Sequence, residues 1–170
     1  MTELPSDTVS LPLGFDVPEG WTPLDPAGAG APGVAFVAVR PEAGFTPNIT
    51  LGVRQRPDPA TLAEIADEAV ERLGRTMALL DVVSRHDVGN ATAPGLTQVL
   101  RMRTGEGTDL VQTQVHLTVP GADGPIGRVV LELVFTAEPE AAQRLTPDFR
   151  KFVASVHVRR TYPAGEGEQL

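Results

Sequence analysis

The side chains best suited to proton transfer in this chain are three histidines, His86, His116 and His157. A nucleophile-histidine-acid set needs mutual hydrogen-bonding geometry, and their spacing supplies none. His86 and Asp87 are adjacent, but neighbours on a strand face opposite ways. The sequence contains no Gly-x-Ser-x-Gly and no His-Glu-x-x-His. No ligands recur at metal-site spacing. Glu64, Asp67, Glu68 and Glu71 could pair on a helix, yet that pattern is the solvated side of an amphipathic helix. The loop from Thr22 to Gly33 is rich in glycine but lacks the Lys-Ser/Thr ending of a phosphate loop. No catalytic residue, metal or cofactor is predicted, and the reading is of a protein that is not an enzyme.

One other set of polar side chains could do work. Arg101, Arg103, Gln112, Gln114, His116 and Glu132 fall in a segment that reads as three strands, 96–103, 110–119 and 128–136. Turn clusters at Thr104–Asp109 and Pro120–Pro125 join them. Pairing Met102 with Val111 and Val115 with Leu131 makes one sheet face almost wholly apolar. That register gathers the six polar residues on the other face, beside Val99, Val130 and Val134. Long hydrogen-bonding side chains among valines form a mixed surface suited to recognising a protein partner.

Several partners are excluded by composition. The chain has 170 residues, a net charge of −8 and a pI near 4.8. Nucleic acid and anionic membranes need a cationic surface. Cysteine is absent, so there is no disulfide framework and no thiol chemistry. No apolar run reaches the ~20 residues that span a bilayer. No signal peptide is visible, and a cytoplasmic address is expected. Basic residues are 13 Arg and a single Lys, Lys151, and with abundant Ala, Gly and Pro this points to a GC-rich bacterial genome.

The remaining elements follow from periodicity. Val9, Leu11 and Leu13 alternate as a short first strand. Trp21, the only Trp, is expected to anchor the core. Strands are predicted at 34–40 and 48–55, and another at 79–88. The first of these is apolar on both faces and should be central, because as an edge it would invite a homodimer. Residues 59–75 form the clearest helix, with Leu62, Ile65, Ala66, Ala69, Val70 and Leu73 on one stripe. Thr61 and Glu64 match a capping box, and Asp58 offers an earlier cap. The stripe should dock on the face built by Leu100, Val115, Leu131 and Leu133. A helical turn at 139–145 and a last helix capped by Thr146 and opened by Pro147 complete the chain. A single domain over 8–158 is expected, with flexible termini at 1–7 and 161–170. The fold class is α+β: an antiparallel sheet of about six or seven strands flanked by helices.

Three passages carry a family likeness. Phe15 to Trp21 reads as a Pro-x-x-Trp opening, Phe45-Thr46-Pro47-Asn48-Ile49 as a Pro-Asn-Ile strand start, and Phe149 to Val156 as a closing helix. In this order the chain resembles the PsbP-like superfamily, including its DcrB and LpqN lipoprotein types and Eag-type secretion chaperones. The resemblance implies an αβα sandwich and non-catalytic work as a protein-binding adaptor or chaperone, with a link to secretion. The lipobox Cys of the lipoprotein types is missing. The alternative reading is a small-molecule-binding protein or a hydrolase with a His-centred site.

Overall fold

The computed structural model describes residues 13–30, 33–119 and 127–159. Val9, Leu11, the Pro120–Pro125 turn and both predicted flexible termini lie outside them. In chain order the elements are β1 (Leu13–Gly14), β2 (Thr22–Leu24), β3 (Phe36–Val39), β4 (Asn48–Arg56) and α1 (Leu62–Gly74). There follow β5 (Met77–Gly89), β6 (Pro94–Thr104), β7 (Asp109–Thr118), β8 (Arg128–Ala137), α2 (Pro139–Ser155) and β9 (His157–Val158). Seven strands form one antiparallel sheet in the order β2-β3-β4-β8-β7-β6-β5, and β1 pairs with β9 alone. The expected α+β class holds, and β3 is an inner strand.

A helix packs on each face of the sheet, and the face under α1 also carries a row of buried polar side chains. α2 buries Ala142, Leu145, Phe149 and Phe152 against Ile49, Leu51, Leu133 and Phe135. Trp21 joins this layer 6.1 Å from Phe135, and its indole N–H donates to Asp148 Oδ2 at 2.9 Å. α1 lies on the opposite face, where Val70 and Leu73 meet Leu100, Met102 and Leu110. Its start is the predicted capping box: Thr61 Oγ1 accepts from the Glu64 N–H, and Glu64 Oε1 accepts from the Thr61 N–H. Arg56, at the end of β4, fixes the helix by donating to Glu68 and Asp58.

Three expectations are corrected. β7 sets Val115 opposite Leu133 rather than the expected Leu131, a two-residue slip that leaves the faces unchanged, and the β6–β7 hairpin pairs Met102 with Leu110 and Arg101 with Val111, one residue from the predicted register. The loop sets it: Thr104 N–H donates to Thr108 O, and Arg103 closes against Asp109 at 2.8 Å. A shift of one residue exchanges the faces of a strand, so Leu100 faces α1 while Val115, Leu131 and Leu133 face α2. Of the four residues predicted to receive the α1 stripe, only Leu100 does so, joined by Met102 and Leu110. The third correction concerns α2, which runs unbroken through Pro147. Proline removes one backbone donor, the one that would serve the Gln143 carbonyl, but the apolar stripe continues past it and holds the helix on the sheet; Thr146 Oγ1 adds a bond to the Ala142 carbonyl.

Candidate functional site

α2 covers only part of its sheet face. It sits over β8 and β7, and the same face of β6 and β5 continues beyond it. Between the helix and these strands lies a cleft of about 800 Å³. Alternation along the strands supplies its floor: Val99 from β6, Val111, Val115 and Leu117 from β7, and Val88 from β5. The helix wall is formed by Phe149, Val153 and Ala154. Polar atoms are few, coming from Ser84, Thr97, Thr113, Gln143, Thr146 and His86. Among the described residues, Arg150 is the only formally charged one on the lining. Such a cleft can take up an apolar surface and offers a cation at its rim.

The six residues predicted to share a partner-binding face are divided between two faces by the corrected register. Arg101 and Arg103 are exposed on the α2 side, where Arg101 stands opposite Val111 at the end of the cleft. Gln112, Gln114 and His116 are buried on the α1 side, and Glu132, opposite His116, is half-buried. There the amides satisfy one another. Gln98 Nε2 donates to Gln114 Oε1 at 2.7 Å and to the Ala66 carbonyl at 3.2 Å. Gln114 Nε2 donates to Gln112 Oε1 at 2.7 Å, and Gln112 Nε2 to Thr136 Oγ1 at 2.9 Å. Arg85 caps the far end by donating to Gln98 Oε1 and to Asp67. This ladder lets four strands run polar side chains beneath a helix without leaving an orphan amide.

His116 sits at the side of that ladder, fully buried, its Nε2 3.3 Å from Gln114 Oε1. With the proton on Nε2, the ring donates to Gln114 and leaves Nδ1 3.8 Å from Glu132 Oε2. Burial pushes the imidazole pKa down, against the opposing pull of Glu132 and with help from Arg72, Arg85 and Arg54. The other histidines lie apart. His86 lines the cleft, and His157 lines a separate depression beside β9. Among the described residues no three potential metal ligands cluster, and no helix is long and apolar enough to cross a membrane.

The cleft residues escaped the sequence reading, although a signal was present. The apolar positions of β6 are mostly even-numbered (Leu96, Leu100, Met102, with Val99 the exception) and those of β7 are mostly odd-numbered (Val111, Val115, Leu117). Two neighbouring strands with opposite apolar sets, in this register, require a cover on each face of the sheet.

No protein-family profile matches the sequence, and no curated protein matches it. Solved structures do. LpqN of Mycobacterium tuberculosis, involved in cell envelope biogenesis, superposes with a TM-score of 0.66 at 12% identity, covering 87% of this chain and 83% of LpqN. Cyanobacterial PsbP from Synechocystis gives 0.58 at 17% identity, covering 87% of each chain. The Ran-binding protein Mog1p of Saccharomyces cerevisiae gives 0.55 at 16% identity, covering 86% of this chain and 90% of its own. At such identities the likeness is one of fold.

Proposed function

We propose that this PsbP-like αβα fold serves here as a non-catalytic protein-binding module, an adaptor or chaperone that holds an apolar segment of its partner in the cleft between α2 and strands β5 to β7. The single observation behind the reading is the cleft itself: about 800 Å³, walled by valines and Phe149, with one formal charge on its lining. Apolar floors of this kind contribute through area removed from water, roughly 25 cal/mol per Å². Similarity to Mog1p, a Ran-binding protein, and to LpqN supports a binding role for the fold. Arg101 and the Gln143 amide stand where they could add directional hydrogen bonds to the partner's backbone. The proposal extends to a cytoplasmic site of action and to secretion-linked clients; only the second follows from the likeness to secretion chaperones.

The test compares wild type with a Val99→Glu, Ala154→Arg double variant in pull-downs from the native host, after circular dichroism shows both equally folded. Loss of one captured protein, restored by neither a polyanion nor salt, is the expected result. Identical capture profiles would remove the cleft from the function. A second reading, uptake of an apolar small molecule, is favoured by the volume alone, which lies in the ~300–1,000 Å³ range of ligand pockets. Extraction of the purified protein followed by mass spectrometry distinguishes it, since a stoichiometric small molecule would be recovered.

A further inference from the structure

We infer that two copies of this chain pair edge to edge through β5, in one antiparallel register whose two-fold axis passes between Val83 and Ser84. The inference stands on the sheet edge alone and does not depend on what the cleft binds.

The two edges of the sheet are treated differently. β2 is three residues long with Pro23 at its centre, which is how exposed edges are usually blunted. β5 is thirteen residues long, contains neither proline nor lysine, and leaves Leu79, Val82, Val83 and Val88 exposed. Val83, at 54% exposure, is the most open large apolar side chain among the described residues. Such an edge is a template for another strand.

Why that strand should be a second copy follows from the bulge. Val82 pairs with Leu100 and Ser84 with Val99, so Val83 is an extra residue that reverses the alternation along β5. Leu79 and Asp81 share a face with Ser84, His86 and Val88. Leu80 and Val82 share the other with Arg85 and Asp87. In a regular strand an antiparallel self-pairing keeps like faces together when its axis falls at a residue; the extra Val83 reverses the parity across the bulge, so here the axis must fall between two residues. Placed between Val83 and Ser84, it opposes Leu79 to Val88, two exposed apolar side chains. It also opposes Asp81 to His86, so that an imidazole N–H can donate to a carboxylate, and the two-fold makes this contact twice. Val82 then lies along the stem of Arg85, whose head group is held by Asp67 and Gln98. The remaining pair, Leu80 with Asp87, is mixed. Moving the axis by one residue opposes Asp81 to Val88 or Leu79 to His86, and both the charge match and the apolar match are lost.

Pairing over 79–88 adds on the order of ten backbone hydrogen bonds between the chains. It fuses two seven-stranded sheets into one. Both clefts then open on the same side, flanking the axis, since Ser84, His86 and Val88 belong to the edge and to the cleft lining alike.

The experiment uses the full chain, which has no cysteine of its own. Light scattering should give twice the 18.0 kDa chain mass. Under mild oxidation the L79C/V88C variant should form covalent dimers, because those positions oppose each other across the interface. L79C and V88C alone should not, because neither opposes itself. H86D should raise the dimer dissociation constant at least about tenfold by setting two carboxylates together, and D81H/H86D should restore it. Circular dichroism controls for folding. A monomer mass at every concentration, or equal cross-linking by the single and double cysteine variants, overturns the proposal.

Discussion

His116 shows how a single residue can be both surface-like in sequence and central in structure. In β7 it follows Gln112 and Gln114 at every second position, a pattern that reads as a solvated stripe. The structure buries all three because each amide finds a partner in the next. The cost of that arrangement falls on protonation. Burial lowers the imidazole pKa below its ordinary 6.5, so below that value the unfolded chain binds more protons than the native one. Stability contributed by neutral His116 is complete above the ordinary pKa and is lost as pH falls toward the depressed one. Urea midpoints should therefore drop between neutral and mildly acidic pH, and His116→Gln should flatten the slope. An unchanged slope would show that other groups carry the acid sensitivity. Within the ladder, Gln112→Leu leaves the Gln114 amide without its acceptor and should cost about 1–3 kcal/mol in denaturant melts. A neutral substitution there would mean that water replaces the rung.

At the scale of elements, legibility followed local signals. The α1 stripe and the Thr61–Glu64 box are written within four residues of each other, and the helix was readable to within a turn. Thr61→Ala should cost roughly 0.5–2 kcal/mol, and Ile65→Ala on the order of 2–5 kcal/mol because Ile65 is buried. A loss below about 0.5 kcal/mol for Ile65→Ala in chemical denaturation would show that the helix is not docked. What was not legible depended on long-range packing. The β6–β7 register rests on the geometry of the loop closed by the Thr104–Thr108 backbone bond, which polarity does not encode. Pro147 reads as a helix start, because nothing local says that Phe149 and Phe152 continue the stripe of Ala142 and Leu145. The cleft is the least legible feature of all. It is defined by where α2 stops covering β6 and β5, and no single segment carries that information.

The seven-stranded sheet is held by one pairing between distant parts of the chain. β5 to β8 form a meander in which every strand is next to its sequence neighbour. β4 instead pairs with β8 across the sheet, Asn48 meeting Thr136 and Arg56 meeting Arg128. Order of assembly follows from that connectivity, since closing a long loop costs entropy before its contacts repay it. The meander is expected to form first, as a nucleus of hairpins, with the β2–β4 half laid onto β8 afterwards. Leu100→Ala, in the meander, should slow refolding. Val53→Ala, in β4, should leave the refolding rate nearly unchanged and accelerate unfolding. Stopped-flow chevrons of the two variants read this directly, and equal effects on both arms would disprove a staged assembly. During that interval β8 waits with one side unpaired, carrying Val129, Leu131, Leu133 and Phe135 in a row. When the full-length denatured chain refolds, the seam that later becomes the middle of the sheet is thus the apolar row left longest without its second neighbour.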